Sequence, residues 1–135
     1  MGYRASLRRQ CGITHAVTQL IALRGDLTIW LCIQPTDMRR SYNGLSAQVK
    51  QMLNDDPQSG SLFVFINRRR TQMKCLYYEC GGYCLWCKRL EQGQFAVPDQ
   101  AKDIKASLRQ TEFISLIEGL DLVIKRHRKR HKKTD

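Results

Sequence analysis

The chain runs to 135 residues, with 23 Lys or Arg against 12 Asp or Glu and a formal charge of +11. That length holds one domain with a modest core and excludes a two-lobed enzyme with a deep interdomain cleft. Hydrophobic residues at 42% are too many for a disordered protein, and no run reaches the roughly 18–20 apolar residues that span a bilayer.

The excess charge is concentrated at the two ends. Residues 1–24 carry four arginines and no acid, and residues 125–135 carry seven Lys or Arg and one Asp. Residues 25–124 balance twelve bases against eleven acids. This predicts a basic N-terminal extension over 1–24, one α+β domain over 25–124, and a disordered basic tail over 125–135 that meets a polyanion. Arg4, Arg8 and Arg9 precede an apolar run broken by Thr14, His15, Thr18 and Gln19. A secretory signal is therefore rejected and a cytoplasmic protein is expected.

In chain order, residues 28–33 form a β-rich run stopped by Gln34-Pro35, the first predicted strand. Thr36 and Asp37 offer capping oxygens for a helix beginning near Met38. Met38, Tyr42, Leu45, Val49 and Met52 recur at helical spacing, and Gly44 is expected to leave the middle irregular, at about 1 kcal/mol relative to Ala. Residues 62–66 (LFVFI) are apolar throughout, the pattern of a central strand buried on both faces. Residues 73–80 and 83–90 flank Gly81-Gly82, a two-residue pair suited to a tight hairpin turn. A short strand is predicted over 94–97, a loosely helical connector over 99–109, and a last helix capped by Thr111 and carrying Phe113, Leu116, Ile117 and Leu120. The fold class is α+β: a small antiparallel sheet of four or five strands with an inserted amphipathic helix and a C-terminal helix, flanked by basic flexible ends.

Several of these segments resemble a known family. Thr36-Asp37-Met38-Arg39 after a strand, then residues 56–65 (DPQSGSLFVF), match its opening signature. Asn67-Arg68-Arg69, Lys74, Leu76-Tyr77-Tyr78, Gly82, Leu85-Trp86 and residues 88–95 (KRLEQGQF) continue the match, and residues 116–121 (LIEGLD) are similar to its C-terminal helix motif. The family is the TnpB-type accessory protein of the insertion-sequence-66 group of bacterial transposable elements, unrelated to the RNA-guided nuclease that shares the label. The resemblance spans about residues 27–122. It implies a protein encoded beside a separate transposase, which holds the cutting and joining carboxylates, and needed for the element to move. Tyr78-Glu79-Cys80 departs from the family's usual Trp-Asp start of the turn, Cys87 stands where an aromatic is common, and residues 1–24 are extra.

Cys75, Cys80, Cys84 and Cys87 invite a zinc reading, but only Cys84 and Cys87 have knuckle spacing. With Gly81-Gly82 as the loop, Cys80 faces Tyr83, and strand alternation divides the four thiols between two faces. No metal is expected, and the thiols read as small reduced hydrophobes. The same register sets Lys74 opposite Arg89, Cys75 opposite Lys88 and Tyr77 opposite Trp86. Arg68, Arg69, Arg70, Lys74, Lys88 and Arg89 then gather at the sheet end away from the turn, where guanidinium groups suit phosphate oxygens. Lys125, Arg126, Arg128, Lys129 and Arg130 form a second, flexible contact. Tyr77 and Trp86 are candidates for base stacking, with a cross-strand core pair as the commoner role of such aromatics.

Catalysis finds little support. Asp37 caps a helix, Asp55-Asp56 belong to a turn, Asp121 lies near a helix end, and His15, His127 and His131 have no nucleophile beside them. No catalytic residue and no cofactor are expected. The expected partners are DNA at the element ends, bound with weak sequence specificity, the cognate transposase and other accessory proteins of the element, and no membrane. The alternative is a protein–protein adaptor of the transposase complex that does not touch DNA.

Overall fold

A computed structural model describes residues 26–97 and 103–118 of the chain. The N-terminal extension, the basic tail with Lys125, Arg126, Arg128, Lys129 and Arg130, and Leu120 of the last helical stripe lie outside the described residues.

The five-residue apolar run becomes strand β2, Leu62–Ile66, and every one of its side chains is buried. A strand can be apolar at successive positions only if both faces are covered, and here they are. The five-stranded sheet runs β4-β3-β2-β1-β5, with β2 in the middle. Its other strands are β1, Ile29–Cys32; β3, Gln72–Glu79; β4, Gly82–Arg89; and β5, Lys105–Leu108. Helix α1, Tyr42–Gln51, covers one face through Leu45 and Val49, which meet Phe63, Phe65, Cys32 and Leu76. Helix α2, Gln110–Glu118, covers the other through Phe113, Leu116 and Ile117, which meet Ile29, Leu31, Val64, Met73 and Cys75. Burying each such large side chain contributes about 1.5–3 kcal/mol.

The α+β sheet with one early and one late helix is as expected, but its details differ in four places. First, β1 and β2 pair in parallel, because α1 carries the chain back to the end of the sheet where β1 began. The other strand pairs are antiparallel. Second, residues 94–97 are not a strand, and the segment read as a loose helical connector contains β5, antiparallel to β1. In β5, Leu108 and Ala106 stand opposite Ile29 and Leu31, while Ser107 and Lys105 take the other face. Four residues at an edge, half of them polar, carry too little apolar pattern to separate strand from coil.

Third, α1 starts at Tyr42 rather than near Met38. Asp37 Oδ1 accepts the Arg39 N–H at 2.9 Å, closing a local turn that competes with helix. Thr36 is buried instead of capping: its N–H donates to the Ile66 carbonyl, and its hydroxyl accepts from Gln48 Nε2 at 3.0 Å. The apolar stripe narrows accordingly, leaving Tyr42 and Met52 exposed. The helix is continuous through Gly44. A Cβ there would stand 3.1 Å from Arg40 Cβ, so glycine leaves room for the arginine stem that crosses it.

Fourth, the β3–β4 turn is Cys80-Gly81. Both residues have positive φ, 53° and 80°, the conformation of a type I′ turn. Every pair along the hairpin is displaced by two residues from the register expected for Gly81-Gly82. Gln72 faces Arg89, Met73 faces Lys88, Lys74 faces Cys87, Cys75 faces Trp86, and Tyr77 faces Cys84. A two-residue displacement preserves which face each side chain takes and changes every cross-strand partner.

Candidate nucleic-acid interface

The loops that follow the parallel strands β1 and β2 lie side by side, since parallel strands end at the same edge of a sheet. Such an edge is where open α/β arrangements commonly bind ligands. The loop after β2 is Asn67-Arg68-Arg69-Arg70, and Asn67 organises it. Its Oδ1 accepts the N–H groups of Thr71 at 2.8 Å and Gln72 at 3.0 Å, and its backbone carbonyl accepts that of Arg70 at 3.0 Å. Arg70 takes φ 61°, which turns the chain back into β3.

Residues 90–95 strap the loop from outside. The Leu90 N–H reaches the Thr71 carbonyl at 2.8 Å, Gln94 Nε2 the Arg69 carbonyl at 2.9 Å, and the Phe95 N–H the Arg70 carbonyl at 2.7 Å. Phe95 itself is buried in the core on the α2 side. The carbonyls of Asn67, Arg69 and Arg70 thus all accept hydrogen bonds, and the three arginine side chains project into solvent. Among the described residues, no carboxylate lies within ion-pair distance of Arg68, Arg69 or Arg70.

The loop after β1 supplies a fourth guanidinium that was not among the sequence candidates. Arg39 grips Asp37 with two N–H groups, Nε to Oδ1 at 3.1 Å and Nη2 to Oδ2 at 2.7 Å. These hydrogen bonds hold the Asp37 carboxyl down to about 2. The Arg39 side chain is still 91% exposed, so the clamp aims it without burying it. A shallow depression of about 510 Å³ lies between the two loops, with Arg39, Arg68 and Arg69 on its rim. Met38 and Gln72 are shared with a neighbouring depression of about 420 Å³, bordered by Lys74 and Arg89. The signal in sequence was the Thr36-Asp37-Met38-Arg39 motif itself, in which Asp37 had a simpler role as a cap.

The remaining candidates divide. Arg89 is exposed on this side, 3.5 Å from Glu91, an exposed pair of the kind worth little. Lys74 donates to the Arg40 carbonyl at 2.7 Å. Lys88 stands on the opposite face of the sheet, where its ammonium donates to the Ile117 carbonyl in the last turn of α2. Sequence reasoning placed these lysines at the correct end of the sheet, but strand alternation and two backbone acceptors separate their ammonium groups. Trp86 is only 5% exposed and packs in the core on the α2 side, with no acceptor for its indole N–H among the described residues. Its ring is not presented to an incoming base. Tyr77 is half-buried against the same core, and burial pushes its hydroxyl up to about 12.

The cysteines disperse as well. Cys75 is fully buried, Cys80 lies at the turn, and Cys87 is exposed on the α1 face. Among the described residues, no group of three or more His, Cys, Asp or Glu is arranged to hold a metal ion.

Taken together, these features define a small three-layer domain, helix on sheet on helix, with a guanidinium-rimmed edge. The chain belongs to the IS66 Orf2-like family, whose model matches residues 27–127. It is similar to two uncharacterized proteins of Sinorhizobium fredii strain NBRC 101917 / NGR234. It is 40% identical to y4jC over 70% of this chain and 80% of that protein, and 30% identical to y4hO over 71% and 83%. No solved structure matches the chain. The family associates the chain with insertion-sequence transposition as an accessory protein, and it is not a known enzyme family. Among the described residues, no helix is long and apolar enough to cross a membrane.

Proposed function

We propose that the protein is a non-catalytic accessory factor of transposition that holds the phosphate backbone of element DNA, with the folded body docking on the transposase. The observation that carries this reading is the Asn67–Arg70 loop, whose backbone is fixed on both sides while three guanidinium groups stand in solvent with no carboxylate at ion-pair distance among the described residues. A loop whose backbone is already fixed has only its arginine side chains left to order on gripping a phosphate, and each can offer two parallel N–H donors. Arg39 and Arg89 extend the rim, and Lys125, Arg126, Arg128, Lys129 and Arg130 add a second contact. Lys74 and Lys88 contribute positive potential rather than direct grip.

Asn67, in the wall of the depression, spends its side chain on its own loop, and the exposed arginines suit phosphate oxygens, so binding tracks phosphates and is weakly sequence-specific. Replacing Arg68, Arg69 and Arg70 together with alanine lowers affinity evenly for element-end and random duplexes in a mobility-shift series. It also flattens the dependence of log K on log salt by as much as ~2.7, at about 0.9 per phosphate contact. Loss confined to one sequence, or an unchanged salt slope, contradicts the model. Deleting residues 125–135 separates the adaptor alternative, since an adaptor keeps its transposase and has no DNA affinity to lose.

A further inference from the structure

Strand β4 is an edge of the sheet and is hydrogen-bonded to β3 alone among the described strands. Its eight residues expose about 27 Å of backbone at 3.4 Å per residue. In a two-residue hairpin, the residues flanking the loop, here Glu79 and Gly82, exchange both of their hydrogen bonds. The even-numbered residues of β4 therefore bond to β3, and the Leu90 N–H on the Thr71 carbonyl continues that order. Tyr83, Leu85, Cys87 and Arg89 turn their N–H and C=O groups outward.

Edges of this kind are usually blunted by proline, charge, a bulge or shortness. The opposite edge, β5, has only four residues and begins with a lysine. By contrast, β4 has no proline, no charge in its first six residues and an unbroken register over all eight pairs. At the hairpin end, a Cβ at Gly81 or Gly82 would meet nothing within 4 Å among the described residues.

We propose that β4 is a self-association edge, pairing antiparallel with β4 of a second copy about a two-fold axis. The charges at the ends of the strand set the direction in which a second copy pairs. Lys88 and Arg89 sit together at one end, so parallel pairing would stack four cations. Antiparallel pairing sets each cationic end against the uncharged Gly82–Tyr83 end of the other copy. A two-fold axis normal to the sheet requires side chains of one face to meet those of the same face. The same-face register that pairs residues 83–89 with their copies then places Arg89 beside Tyr83 of the second copy, where cation–π contact is available. The product is one continuous ten-stranded sheet, with an Arg68–Arg70 loop near each of two opposite corners.

Sedimentation equilibrium of the full chain without DNA, from low to high micromolar, tests this directly. The expected result is a concentration-dependent dimer. Leu85→Pro removes one outward N–H while sparing the bonds to β3, and Leu85→Lys adds a charge to the edge; each is expected to give the monomer mass with an unchanged far-UV CD spectrum. If the proline variant unfolds, the lysine variant decides. A wild-type monomer at high micromolar overturns the proposal, as happens if the edge serves a strand from another protein. A dimer that survives in folded Leu85→Lys also overturns it, by locating the contact elsewhere. Because no nucleic acid is present, either failure leaves the phosphate reading standing.

Discussion

Asn67 and Asp37 do similar work one strand apart: each is a short polar side chain that bonds the backbone of its own loop and fixes an arginine's position. Asn67→Ala strips the acceptor from two partly buried N–H groups. It should cost about 1–2 kcal/mol in denaturant unfolding and weaken DNA binding through disorder of the Arg68–Arg70 loop. For Asp37, the folded carboxyl near 2 lies below its ordinary value of 3.8. The pair's contribution is fully present above 3.8 and is lost as pH falls through about 2, so neutral and mildly acid solutions leave it untouched. In a carboxyl NMR titration, Arg39→Gln should return Asp37 toward 3.8. An unmoved midpoint would show that the guanidinium is not the cause.

Among the elements, β5 carries one side chain, Lys105, with two tertiary contacts. Lys105 donates to Asp55 Oδ2 at 2.9 Å and lies 4.3 Å from the centre of the Trp30 ring. The ion pair is about three-quarters buried, so it is less screened than the surface pairs. Burial alone would raise the Asp55 carboxyl, yet the Lys105 ammonium and the Asp56 N–H together hold it below its ordinary value. Lys105→Met keeps the stem and removes both interactions, and should destabilise the fold by about 1–2 kcal/mol. A double-mutant cycle with Asp55→Asn checks it, since additive losses would mean the two groups do not couple. The elements legible beforehand were those with β-rich, long or two-sided apolar patterns: β1, β2, the β3–β4 hairpin and α2. The start of α1 and the whole of β5 were obscure, because an Asx turn overrode the cap signal in one and four half-polar residues hid the other.

For the whole molecule, burial orders the thiols. Burial raises the Cys32 and Cys75 thiols, with Cys75 well above its ordinary range, while Cys80 and Cys87 are exposed. Brief alkylation of native protein, mapped by mass spectrometry, should label Cys80 and Cys87 and spare Cys32 and Cys75 until the fold is opened in denaturant. Labelling of Cys75 in native protein would contradict the sheet order, because that residue lies on an interior strand beneath α2.

Amphipathic period, an all-apolar strand and the family motifs follow from local chemistry, so the order of residues alone determined the α+β class, the central strand, the late helix and the insertion-sequence setting. It also placed the Arg68–Arg70 loop and the other cations at one end of the sheet. Only tertiary structure decided the parallel pairing of β1 with β2, which sets the Arg39 and Arg68–Arg70 loops side by side. The positive φ of Cys80 moved the hairpin register by two residues. Backbone carbonyls 34 and 29 positions away took up the ammonium groups of Lys74 and Lys88. Each of these depends on which distant atoms meet, and a linear pattern carries no record of that.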